Sequence, residues 1–173
     1  MPPYLATPYF HLSKLPLTTK VALSCFYASL LTALAFVAFA VFAERTHWRV
    51  TEAQANFAGD ERVTRETGAR LERMHAEPTR RALYDIVHPH SFMMPLIFFV
   101  LVHLMEMSAG PRGAKIALYV SAFAAMTVMT FAPLLVSASL GFAWLVVLFA
   151  GVMLSAFAAM IVVPAWQMWL GKA

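Results

Sequence analysis

Charge is scarce in this chain of 173 residues. Only 13% are Asp, Glu, Lys or Arg, and 61% are hydrophobic. A soluble domain carries about a quarter charged residues, so this balance excludes an ordinary soluble fold and indicates a polytopic membrane protein. Cysteine is nearly absent. The single Cys25 excludes an intrachain disulfide, a zinc-type cysteine pair and a c-type haem attachment motif. It sits in an apolar run and reads as a small buried hydrophobe. Phosphate-cradling loops, dinucleotide fingerprints and nucleophile motifs are also missing, so the sequence argues against an enzyme acting on its own. Ionisable groups are too few, and an inverted repeat too faint, for a transporter. The net charge of +4 does not point to nucleic acid, because no basic cluster lies on a soluble segment free of matching acids.

What remains is apolar sequence in four runs. Residues 21–43 carry no charge. At about 1.5 Å per residue such a run crosses a hydrocarbon core of about 30 Å. It exceeds the apolar region of a signal peptide, about 7–15 residues, and reads as a retained anchor. Further spans are expected at about 89–108, 114–136 and 142–169. Gly110-Pro111-Arg112-Gly113 breaks the chain between the second and third spans, and 137–141 forms a short turn between the third and fourth. Pro95, Pro133 and Pro164 lie inside spans, where membrane helices tolerate them, and Pro95 is expected to kink its helix. Small residues four apart are candidates for close helix contacts: Ser24/Ala28, Ser121/Ala125 and Gly151/Ser155/Ala159. The expected fold is all-α: one integral membrane domain, an antiparallel four-helix bundle with a partly helical extramembrane loop at 44–88.

Lys14, Lys20, Arg112, Lys115 and Lys172 flank the spans on one side. By the positive-inside rule that side is cytoplasmic, which places both termini there, in a bacterial inner membrane. The loop on the other side balances eight arginines with eight acids. Within it, Asp60 is a candidate helix cap, and Glu61/Arg65 and Glu66/Arg70 are helix-supporting pairs, giving a charged helix over about 61–75. Thr79 is placed to cap a short surface helix, with Leu83, Ile86 and Val87 on its apolar face, that leads into His88. Trp48, Trp166 and Trp169 suit the membrane interface.

The chemistry-bearing feature is the second span. His88-Pro89-His90 opens it and His103 lies near its other end, followed by Glu106. Ionisable groups in a span are costly and are functional candidates by default. With about 100° per residue, His88 and His103 share a face with Phe92, Leu96, Phe99 and Glu106, while His90 and His103 point apart. The His88–His103 separation is roughly 22 Å at 1.5 Å per residue.

A helix with two histidines so spaced, within a four-span plan, resembles the haem-bearing helices of small membrane b-type cytochromes. That resemblance implies haem b, with His88 or His90 as axial ligand near the outer face and His103 near the inner face. Spans three and four contain no histidine, which departs from the pattern. The second ligand would then come from His47 or His75 outside, His11 inside, a thioether from Met94, Met126 or Met129, or His103 of a second copy. The implied function is a membrane subunit of an electron-transfer assembly, with other membrane or extracytoplasmic redox subunits as partners beside the lipid bilayer.

Two other readings use the same residues. His88, His90, Met93, Met94 and His47 offer imidazole and thioether ligands suited to copper. Alternatively, Pro89 simply starts a helix, the flanking histidines sit at the interface, and His103 pairs with Glu106, leaving a metal-free accessory or anchoring subunit.

Overall fold

Pro16, with φ of −56°, leads directly into the first helix, whose opening turn has no need of the missing N–H. In the computed structural model, which describes residues 12–68 and 75–171, α1 runs over Leu17–Phe36 and continues as π-helical turns over Val37–Ala43. The run expected as one uniform helix therefore changes its winding near its end. The wider turn carries Phe42 into a buried cluster with Ala53, Ala132, Val136 and Ala143. Helices α2 (Val50–Ala58) and α3 (Asp60–Thr67) form a small cap. Helix α4 spans Arg80–Glu106, α5 spans Arg112–Ala138 and α6 spans Ala143–Leu170, the last entered through a 3-10 turn at Leu140–Phe142. Among the described residues, four helical stretches are long and apolar enough to cross a membrane. The described residues contain no strand, and the all-α four-helix membrane fold holds.

The second span begins earlier than its apolar run suggests. Thr79 does cap a helix, accepting the Ala82 N–H at 3.2 Å. That helix is not a separate surface element. It runs through Pro89 and Pro95 to Glu106 without a break. The reason lies in its buried face: Leu83, Val87, Leu101 and Met105 repeat on one side over the whole length. Pro89 is thus an interior residue rather than the first of a helix.

Helix α6 is central and packs on α1, α4 and α5, while α4 also packs on α5. The main core joins Tyr27, Leu101, Met126, Phe157, Met160 and Ile161. Ala122, Ala125, Ala150 and Ala156 are buried at these contacts, consistent with close helix approach through small side chains. Ser121/Ala125 joins this packing. The row Gly151, Ser155, Ala159 does not, because Gly151 and Ser155 face outward. Cys25 is exposed on α1, not buried, so its thiol faces the surroundings of the bundle.

The cap sits on the α5–α6 turn. Gln54 Nε2 donates to the Leu140 carbonyl at 3.0 Å, and Arg62 Nη1 donates to the Ser137 carbonyl at 2.6 Å. Ala55, Ala58, Val63 and Leu140 form the apolar contact beneath. The helix expected over 61–75 occupies Asp60–Thr67 and ends at Gly68, which has φ of +72°. Its ion pair is Arg62–Glu66 at 2.8 Å. Glu66/Arg70 lies outside the described residues. Asp60 does not cap; Gly59 holds that position. The Asp60 carboxylate instead accepts the His75 N–H, and the Asp60 N–H donates to the His75 carbonyl at 3.0 Å. This pairing draws the incoming chain of 75–79 onto the start of α3.

Candidate functional site

The continuous course of α4 fixes where its histidines point. Successive residues turn by about 100°, so His88 and His90 leave opposite sides of the helix, roughly 200° apart. One metal ion cannot take both from this helix. His88 and His103 do share a face. Phe92, Leu96 and Phe99 on that face are 69%, 58% and 63% exposed, and His88, His103 and Glu106 are exposed as well. The face turns away from the bundle core.

Each imidazole has a distinct local setting. His88 meets the Phe92 ring edge-on, with centroids 5.4 Å apart. His103 lies against Phe99 at 5.7 Å. His90 Nδ1 is 2.6 Å from the carbonyl oxygen of Ile86, one turn earlier. A carbonyl can only accept, so Nδ1 carries the proton, and a neutral His90 ring keeps its lone pair on Nε2. Met94 lies one turn further along the same side and is half-buried.

The other candidate ligands are dispersed. His47 is exposed in the turn after α1, with the unusual φ of +46°, next to Trp48 at +55°. His75 belongs to the cap, where its Nδ1 is 3.3 Å from Asp60 Oδ1. Met126 is buried in the main core and Met129 is half-buried; Met93 is exposed. His11 lies outside the described residues. Among the described residues, no three His, Cys, Asp or Glu side chains converge as metal ligands. A haem iron needs only one or two protein ligands, so this does not bear on haem.

Polar contacts near the other end of α4 differ from the sequence expectation. Glu106 does not pair with His103. Tyr119 of α5 donates to Glu106 Oε1 at 2.6 Å, and Lys115 Nζ is 4.0 Å from Oε2. Lys115 also donates to the carbonyls of Glu106 and Ser108 at 3.1 and 2.8 Å, satisfying the end of α4. Lys115 and Tyr119 are four apart in the first turns of α5, a spacing that put them on one face without revealing what the face met. Three further buried polar side chains serve the backbone too. Thr46 donates to the Phe42 carbonyl, Ser108 to the Met105 carbonyl and Gln54 to the Leu140 carbonyl. Asp85, His88, His103 and Glu106 lie exposed on the surface of α4, where a ligand or partner can reach them.

Beside Gln167, Trp166, Met107 and Leu12, where α4 and α6 end, the bundle holds a cavity of about 220 Å³. A family model, Aq_1264_TM, described as a transmembrane helical domain, matches residues 47–173, well over half of the chain. No curated protein and no solved structure matches the sequence. The family is described by its membrane helices alone, so the likeness to b-type cytochromes rests only on the histidines of α4 and the four-span plan. With its cap, its three following helices and their connections all inside the matched region, the chain belongs to this family of transmembrane helical domains.

Proposed function

We propose that the chain is a membrane-embedded accessory subunit, which anchors or positions a partner in a larger membrane complex. One observation carries this reading. Buried Gln54, Lys115, Thr46 and Ser108 spend donors on the protein's own backbone, while α4 keeps Asp85, His88, His103 and Glu106 on an outward face. Such groups in a span normally meet protein, not lipid. In this reading both termini are cytoplasmic and the cap lies across a bacterial inner membrane, as the short basic flanks favour. Native electrophoresis of gently solubilised membranes tests it. The chain is expected to migrate in an assembly containing a different subunit. Migration only as the free chain or as copies of itself overturns the reading.

A second reading is favoured by His90. Metal-bound histidines commonly donate their other ring nitrogen to a carbonyl, and His90 has this arrangement. It makes the chain the membrane subunit of an electron-transfer assembly, with haem b at the outer face. His90 supplies one ligand, and a neighbouring chain or His47 supplies the other. Copper at His90 and Met94 is the related alternative. Reduced-minus-oxidised absorption spectra and metal analysis of the purified complex decide between them. A b-type α band lost in His90→Ala supports haem, and copper lost in the same variant supports copper. Neither signal in the wild-type complex overturns both.

A further inference from the structure

The outward residues of α4 continue beyond the six already described. Asp85 is exposed on the same side. From Asp85 through His88, Phe92, Leu96, Phe99 and His103 to Glu106 the steps are three or four residues, averaging about 3.5, the repeat of a helix–helix seam. With about 100° per residue, all seven fall within a sector of roughly 80°. The middle of the stripe is aromatic and aliphatic. Each end holds one acid and one imidazole a turn apart, and exposed Arg81 lies one turn further out on the same side beyond Asp85.

Lipid alone does not account for this stripe. The exposed residues along the middle of α5 and α6 include Val120, Phe123, Leu148 and Val162, which suit hydrocarbon. After the first turns of α5, neither of those helices bears an Asp, Glu, Lys, Arg or His. Helix α4 does so at both ends of its outward face. Glu106 is held by Tyr119 and Lys115. Asp85, His88 and His103 make no hydrogen bond or ion pair among the described residues, and such groups in a span cost free energy unless paired.

We propose that this face is the contact between two copies of the chain, packed side by side about a two-fold axis along the membrane normal. Copies inserted in the same way share an orientation, so Phe92, Leu96 and Phe99 meet their equivalents at mid-seam. A self-complementary surface is what a two-fold contact requires. Here each end supplies its own complement: Asp85 of one copy comes within reach of His88 of the other, and His103 of one within reach of Glu106 of the other. The inference uses the same outward face as the accessory reading but assigns it to a second copy, so it holds with or without a different subunit elsewhere on the bundle.

Disulfide trapping in membranes tests it. In a Cys25→Ser background, Leu96→Cys and Phe99→Cys lie on the seam, and Val120→Cys and Val162→Cys are exposed on α5 and α6. Mild oxidation is expected to shift both seam variants to the mass of two chains, while the two control variants stay single. Equal trapping at all four positions, showing random collision, overturns the proposal. So does no trapping at the seam in protein that is correctly inserted, or trapping to a species of another mass. Chain expressed alone should behave the same way, which separates failure of this seam from failure to find another subunit.

Discussion

Gln167 of α6 holds Ala109 at both ends of its residue. Its Oε1 accepts the Ala109 N–H at 2.6 Å, and its Nε2 donates to the Ala109 carbonyl at 2.8 Å. A primary amide is the neutral side chain that offers donor and acceptor side by side, as a β-strand would. It ties the α4–α5 turn to the end of α6. Gln167→Leu keeps much of the volume and loses both bonds. It is expected to cost about 1–3 kcal/mol, since each bond contributes about 0.5–1.5 kcal/mol net. Gln167→Glu should fall between, retaining the acceptor but placing an oxygen against the carbonyl. Thermal unfolding in detergent reads the order; equal midpoints for all three proteins would remove Gln167 from this role.

The four spans were legible because bilayer length and the lack of charge act on every residue at once. Gly110, Pro111 and the 137–141 turn marked their ends for reasons local to the backbone. The sharing of one face by His88, Phe92, Leu96, Phe99 and His103 was also legible, since it needs only the helical period. Its outward direction was not, because it depends on Leu83, Val87, Leu101 and Met105 finding a core on the other side. Pro89 misled, as a favoured first residue of helices, because Thr79 capped an earlier start and the buried face carried the helix through. The partners of Glu106 lay on α5, and the clasp between Asp60 and His75 joins residues 15 apart. Neither periodicity nor a cap rule reaches such contacts.

Tyr27 is 3% exposed, and its hydroxyl has no hydrogen-bond partner among the described residues. It lies ten residues into α1, about 15 Å from Leu17. A buried donor without an acceptor is unfavourable, and removing it along with its desolvation penalty can be neutral or stabilising. Tyr27→Phe is therefore expected to leave the unfolding midpoint unchanged or to raise stability by up to about 1 kcal/mol. A clear loss would mean that the hydroxyl has an acceptor in the assembled membrane protein.

His47 and Trp48 both occupy the left-handed region, at φ of +46° and +55°. The turn they make stacks Trp48 on Phe42, with centroids 5.1 Å apart. For a residue with a Cβ this conformation costs roughly 1–2 kcal/mol, and glycine largely escapes it. His47 is exposed, so His47→Gly should stabilise the protein by up to about 1 kcal/mol, offset partly by glycine's greater freedom when unfolded. The midpoint of unfolding checks this. Should the variant instead lose a bound haem or metal, the histidine is kept in this turn as a ligand.

Gly59 is the tightest position in the cap. Its φ of +82° and ψ of 150° lie in a region that essentially only glycine adopts. A Cβ there would also come within 2.7 Å of the backbone Cα and N of Glu77. Those atoms belong to the segment held by Asp60 and His75, so they cannot yield without opening that clasp. Gly59→Ala should therefore loosen the cap by more than the backbone term alone, while the four spans stay inserted. Gly68 gives the comparison. Its φ is +72°, but no atom lies within 4 Å of a Cβ placed there, so Gly68→Ala carries only the conformational cost of roughly 1–2 kcal/mol. Limited trypsin digestion of membranes, read at the cap arginines, should find Gly59→Ala cleaved about tenfold or more faster than wild type, since about 1.4 kcal/mol corresponds to tenfold in an opening equilibrium. Gly68→Ala should be cleaved more slowly than Gly59→Ala. If the two variants are cleaved at the same rate, the close approach of Glu77 does not limit the cap, and its hold on the α5–α6 turn rests on Gln54 and Arg62 instead.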